Sequence, residues 1–156
     1  MKFYKTAEAF LQNEKPVPPI VFTNGCFDIL HVGHARYLKA SRALGNTLVI
    51  GLNSDASVKR LKNKATGAGP ARPIYPEHIR AEMLLALKSV DAVVLFDEDT
   101  PQKIIEKICP DILTKGGDYQ KSSIAGAEFV SSQGGQVIII PFEKGFSTTN
   151  ILSHLS

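Results

Sequence analysis

A doubly wound α/β fold, with a parallel sheet of about five strands and helices on both faces, is predicted by three features of the sequence. Short and nearly unbroken apolar runs recur at Ile20-Val21-Phe22, Thr47 to Leu52, Asp91 to Phe96, Asp111 to Thr114 and Gln136 to Ile140. Runs of that length, without polar alternation, suit strands buried on both faces. Between them lie segments of helical apolar spacing joined by short turns, and such alternation means a parallel sheet with covered faces. Polar and glycine residues then collect just after the runs, at Asn24 to His34, Asn53 to Asp55, Asp97 to Asp99, Lys115 to Asp118 and Gly145 to Asn150. Open α/β sheets bind ligands beyond the carboxyl ends of their strands, so these segments are expected to make one site.

Taken in order, residues 1 to 19 read as an arm: a short amphipathic helix carrying Phe3, Ala7, Phe10 and Leu11, then a connector with Pro16, Pro18 and Pro19. Residues 20 to 156 form the domain proper. The first strand turns at Asn24-Gly25 into a helix over Val32 to Leu44, with Val32, Ala35, Leu38 and Ala43 at apolar spacing and Gly45 at its end. After the second strand, Ser54 or Asp55 caps a short helix running through Leu61. Asn63 to Pro73, rich in Gly, Ala and Pro, is expected to be a loop. Pro76 opens a helix to Lys88 whose inner side is Ile79, Met83, Leu84 and Leu87. Thr100 caps a helix with Pro101 in its first position, which stops before Pro110. A helix from Ile124 to Ser132 ends at Gly134-Gly135, and the last one begins near Ser147-Thr148-Thr149.

Composition narrows the function. At 156 residues and 44% hydrophobic the chain suits one domain with a real core. A net charge of +3 tolerates an anionic substrate. No basic run with interleaved aromatics points to nucleic acid, and the Lys59, Arg60, Lys62, Lys64 cluster reads as a solvated helix face. No stretch reaches the roughly 20 apolar residues of a membrane span. The charged N-terminus does not resemble a signal peptide, and Cys26 and Cys109 form no CxxC pair, so a reducing cytoplasm is expected. Cys26 is a reactive thiol or, by preference, a small residue at a tight strand end.

The stretch FTNGCFDILHVGH, residues 22 to 34, carries the chemistry. His31 and His34 lie three residues apart on one side of a helix's first turn, directly after an apolar strand. Free amides and the positive end of the helix dipole favour an anion there. Imidazole N–H groups donate to phosphate oxygens, and Gly33 admits close approach. Two histidines in that setting are hard to explain as packing.

HVGH resembles the signature of the HxGH nucleotidyltransferase superfamily, and NGCFDILHVGH is close to the form in its sugar-phosphate and glycerol-phosphate members. NSDASVKRLK, RPI, FDEDTP, PDILTKGGDY and STT extend the likeness from about Val17 to Ile151, and the combination is most similar to heptose 1-phosphate adenylyltransferases in stand-alone form. The resemblance implies a Rossmann-like sheet and transfer of AMP from ATP, with Mg2+, to a heptose 1-phosphate. Its products would be pyrophosphate and ADP-heptose for the lipopolysaccharide core. It implies that His31 and His34, with Lys62 and Arg80, act on the phosphates. Thr23, Asn24, Gly25, Cys26, Phe27 and Gly33 would line the nucleotide, Cys26 and Phe27 through their amides. Lys115-Gly116-Gly117-Asp118 would approach base or ribose, and Ser147-Thr148-Thr149 the β- and γ-phosphates. Asp28, Asn53 and Asp55 are expected near the acceptor sugar phosphate, with Asp28 alternatively a helix cap. Relatives often carry arginine before STT, where this chain has Lys144. Similar proteins often pair, so a homodimer is expected by resemblance only.

A phosphate monoester is already an anionic nucleophile at neutral pH. The reaction therefore asks for positioning and charge stabilisation rather than a serine or cysteine triad. The competing readings are a cytidylyltransferase for glycerol 3-phosphate or a similar alcohol phosphate, and a nucleotide-binding module without turnover. A dinucleotide-dependent oxidoreductase is disfavoured by the missing GxGxxG.

Overall fold

The computed structural model describes residues 2–62, 70–117, 119–141 and 148–155, with the side chains of Thr148, Thr149 and Leu155 outside the description. Six parallel strands make one sheet: β1 (Phe3–Tyr4), β2 (Ile20–Gly25), β3 (Thr47–Asn53), β4 (Ala92–Phe96), β5 (Ile112–Gly116) and β6 (Gln136–Ile140). Their order across the sheet is β1-β4-β3-β2-β5-β6. The helices are α1 (Ala7–Asn13), α2 (Val32–Arg42), α3 (Asp55–Lys62), α4 (Glu77–Leu85), α5 (Gln102–Ile108), α6 (Ala127–Ser132) and α7 (Thr148–Leu155).

β3 is buried at every position, which is why its sequence shows no alternation. Side-chain alternation along the strands splits the core in two. Phe22, Val49, Val94 and Leu113 pack on one face with Phe10 of α1, Ile104, Ile105 and Ile108 of α5, and Val130 of α6. Val21, Ile50, Val93 and Ile112 pack on the other with Leu38 of α2 and Leu84 of α4. Gly51 lets the sheet close: a Cβ there would lie 2.6 Å from the Phe22 ring.

The five expected strands all form; the sixth is the difference. Residues 1 to 19 were expected to hold only a helix and connector, whereas Phe3–Tyr4 pairs with Val93 and Val94 at the sheet edge. The helix starts only at Ala7, where Thr6 Oγ1 accepts from the Ala9 amide at 3.1 Å. Asn24-Gly25 is not a turn, because β2 continues through Gly25 in register with Leu52. The reversal falls on Phe27, at φ 44°. Helix α2 turns Leu38, Ser41 and half-buried Tyr37 inward, leaving Val32 exposed. Helix α4 likewise buries Arg80, Ala81 and Leu84 and leaves Met83 exposed, with Pro76 before its first turn. Pro101 occupies the cap position expected of Thr100, and Ala127 begins α6 after a 3-10 turn at Lys121–Ser123. The stretch Asn63 to Gly69 of the expected loop lies outside the described residues.

The chain adds β3 and β4 on one side of β2, then crosses back to place β5 and β6 on the other. In open α/β sheets the crevice that takes ligands lies at such a switch point, here beyond the carboxyl ends of β2 and β5.

Candidate active site

The crevice is built from the ends of β2, β3 and β5. After β2, Phe27 takes a left-handed backbone, which costs a non-glycine residue about 1–3 kcal/mol. Its ring lies across Gly25, where a Cβ would come within 3.0 Å, and meets His34 edge-on at 5.3 Å between centroids. The strain is offset by a buried aromatic contact that braces the second histidine.

His31 is the N-cap residue of α2 and His34 its third helical residue, with Gly33 between them. The rings stack at 3.8 Å between centroids and 26° between planes. The His31 amide donates to His34 Nδ1 at 3.4 Å, which leaves Nε2 of His34 as the nitrogen that carries a proton. Burial, with His31 beside it, pulls His34 down to about 4, and burial lowers His31 as well. Both rings are therefore neutral at pH 7. Across this first turn the two residues form a reciprocal capping box, each side chain facing the other's backbone amide. The pair thus stands at the first turn of α2, where the helix dipole is positive and first-turn amides have no intrahelical partner.

Asp28 departs from expectation. Its side chain is wholly enclosed, pairs with Arg72 Nε, and accepts from the Ile74 amide at 2.8 Å and the Tyr75 amide at 3.0 Å. Both oxygens are occupied, so Asp28 neither caps α2 nor offers a carboxylate to an acceptor. It clasps the 72–75 segment against the motif loop.

Arg80 departs in the same way. At 0% exposure it donates through Nε to the Tyr75 carbonyl at 2.9 Å, through one terminal nitrogen to the Cys26 carbonyl at 2.6 Å, and through the other to Asp55 at 2.7 Å. Guanidinium is a five-donor fork, and here three of its donors tie the Tyr75 and Cys26 loops to the start of α3. Asp55 is the counter-charge of that fork, and its amide donates to Glu77 at 3.0 Å. Asn53 is buried and donates to Ser57 Oγ at 3.0 Å. Thr23 is also fully buried, with its hydroxyl 2.6 Å from that of Tyr37, so only its backbone is left for a nucleotide.

Cations collect nevertheless. Lys62 ends α3 exposed, and its charge is felt at both Cys26 and Lys115. Lys115, at the end of β5, is pulled below the ordinary lysine value by burial, and its Nζ lies 5.7 Å above the Tyr119 ring. Gly116 ends the strand, and Gly117, at φ 109°, turns the chain in a conformation natural only to glycine. Burial pushes the Cys26 thiol up, which suits a small residue at a tight strand end better than a reactive thiolate. Asp118, Lys144 and Ser147 lie outside the described residues, and of Thr148 and Thr149 only the backbone, at the first turn of α7, is described.

Sequence reasoning missed Arg72, Glu77 and Tyr37. Arg72 was visible as a charge and within the RPI segment, without a role, and Glu77 and Tyr37 were not singled out. The partners of Arg72 and Glu77 are 44 and 22 residues away, and pairing at that distance leaves no periodic trace.

A crevice at the switch point of a parallel sheet, with paired histidines at a helix start, defines a nucleotide-handling α/β enzyme. Residues 22–152 match the family described as cytidylyltransferase-like, and the chain belongs to it, a nucleotidyltransferase by class. It is 53% identical over 136 residues to "Bifunctional protein HldE" of Syntrophotalea carbinolica, covering 87% of this chain and 26% of that protein. To the protein of the same name from Pectobacterium carotovorum subsp. carotovorum it is 56% identical over 134 residues, covering 86% of this chain and 27% of the relative. The chain thus spans about a quarter of the length of these relatives. Among solved structures, the lipopolysaccharide core biosynthesis protein of Thermoplasma volcanium superposes with a TM-score of 0.60 at 32% identity, covering 81% of this chain and 98% of that one. Pantothenate synthetase from Thermus thermophilus shares the fold, with a TM-score of 0.63 at 16% identity over 97% of this chain and 67% of that one.

Proposed function

We propose that the chain transfers AMP from ATP to a heptose 1-phosphate, releasing pyrophosphate and giving ADP-heptose. The observation that carries this reading is the stacked pair of neutral imidazoles on the α2 N-terminus, set at the switch point across from Lys115-Gly116-Gly117. The sugar phosphate oxygen attacks the α-phosphorus while the bond from that phosphorus to the bridging oxygen of pyrophosphate breaks. Mg2+ arrives with the triphosphate as part of the substrate. Neutral histidine N–H groups hold phosphate oxygens without adding a base that the anionic nucleophile does not need. Lys62 and Lys115 supply positive charge, and the first-turn amides of α2 and α7 supply fixed dipoles. The likeness to the lipopolysaccharide core biosynthesis protein of Thermoplasma volcanium supports a place in lipopolysaccharide core synthesis and hence a sugar phosphate as acceptor.

Pyrophosphate release is measured with ATP and CTP, each paired with heptose 1-phosphate and glycerol 3-phosphate. ATP with heptose 1-phosphate is expected to be the productive pair. The family description favours one alternative, a cytidylyltransferase, and preference for CTP with glycerol 3-phosphate would establish that one instead. Replacing His34→Ala separates an enzyme from a binding module: turnover is expected to fall by a factor of about 100 or more with nucleotide affinity nearly kept.

A further inference from the structure

Helix α2 delivers both histidines, yet only Leu38 and Ser41 of its residues are fully buried, and one of these is polar. Apolar contact holds a helix against a sheet but is non-directional, and it resists small axial slides weakly. Catalytic groups need placement to within about 0.5 Å. Something directional must set the register of this helix.

The candidate lies one turn beyond His34. Val21 of β2 and Ile112 of β5 are in register and share the core face that holds Leu38. Two residues further along each strand, Thr23 and Thr114 return to that face beneath α2. Thr23 Oγ1 is 2.6 Å from the Tyr37 hydroxyl, which donates to Thr114 Oγ1 at 3.2 Å. Ser41 Oγ is 3.1 Å from the same Thr114 oxygen, which reaches the Phe22 carbonyl at 3.5 Å. Since the Tyr37 proton points to Thr114, Thr23 donates to Tyr37, and the protons run in one direction toward β2. Thr23, Ser41 and Thr114 are all at 0% exposure. Burial raises the Tyr37 phenol, which keeps its proton.

We propose that Tyr37 is a positioning residue: its hydroxyl pins α2 to β2 and β5, and so sets where His31 and His34 stand in the crevice. The proposal rests on the nucleotidyl-transfer reading for its kinetic consequence, but its geometric half is independent of it. Phenylalanine would keep the ring and lose only the directional bonds.

The test compares the wild-type chain, Tyr37→Phe, and Tyr37→Phe with Thr23→Val, a pair that leaves Thr114 still bonded to Ser41. Steady-state pyrophosphate release is read with the productive substrate pair, alongside thermal midpoints and the imidazole nitrogen signals of histidine-labelled free protein. Tyr37→Phe is expected to lower kcat about tenfold or more with the nucleotide KM within about twofold, since small misplacements cost that much. It should also shift the His34 nitrogen signals. The double variant should recover the thermal midpoint, because neither hydroxyl is left unpaired, without recovering kcat. Turnover within about twofold of wild type and unmoved His34 signals would overturn the proposal. So would a double variant that regains both midpoint and kcat. If the wild-type chain turns over no pair, the functional reading fails, and the His34 signals alone decide whether Tyr37 sets the register.

Discussion

His34 shows how far burial, with a second histidine beside it, retunes a residue. Unfolded, its ring titrates near 6.5; folded, near 4. Between those values the unfolded chain holds the extra proton, so stability rises with pH across the window and is lost as pH falls through it. Urea denaturation across that range is expected to show the slope, and His34→Gln to flatten it. Asp28 is held instead by hydrogen bonds to both of its oxygens. Its partner Arg72 is only 14% exposed, so Asp28→Ala removes the carboxylate that faces a largely buried cation and two backbone amides. A loss of about 3–5 kcal/mol in urea denaturation is expected. The histidines were legible because a strand, a glycine and a helix start surround them in sequence. Asp28 and Arg80 were legible as important but not in role. Both look like substrate contacts until their partners appear, and beside the side chains of Arg72 and Asp55 those partners include backbone groups of Cys26, Ile74 and Tyr75 that no side-chain pattern can announce.

At the scale of elements, α3 matters because its last residue is Lys62. Its start is fastened twice. Ser54 Oγ accepts from the Ser57 amide at 3.0 Å and donates to Asp97, while Glu77 accepts from the Asp55 amide. Arg60 pairs with Asp99 at 2.9 Å and also contacts Asp97, tying the helix to the loop after β4. Ser54→Ala is expected to cost about 1 kcal/mol of stability. It should also raise the nucleotide KM, read by titrating ATP in the pyrophosphate assay, because a frayed α3 no longer holds Lys62 beside Cys26 and Lys115. Strand existence was readable here from β-branched runs such as Thr47 to Leu52. The faces of α2 and α4 were not, because polar Ser41 and charged Arg80 occupy inward positions that hydrophobic periodicity assigns to neighbours.

The molecule as a whole places its crevice at β2 and β5 and its extra strand as far away as the sheet allows, at the β1 edge. Two residues, Phe3 and Tyr4, are too few for period-two patterning, so the arm's part in the sheet was invisible in sequence. Its anchor is Phe10, 1% exposed, in the core shared with Ile104, Ile105 and Ile108 of α5. Tyr4 meets Phe10 edge-on at 5.6 Å, and Lys107 of α5 pairs with Glu8 of α1. If the arm and sheet unfold together, Phe10→Ala removes core from the whole cooperative unit and should cost about 3–5 kcal/mol. A separately folding arm would instead yield two transitions in denaturant, with the larger one unmoved. One transition is expected, shifted to lower urea, and followed identically by circular dichroism and tyrosine fluorescence. Because α1 packs on the sheet face opposite α2, kcat of the folded variant is expected to stay within about twofold of wild type. Stability and turnover would then part company in Phe10→Ala and fall together in a variant of the Asp28 clasp, as a site on one face and a brace on the other require.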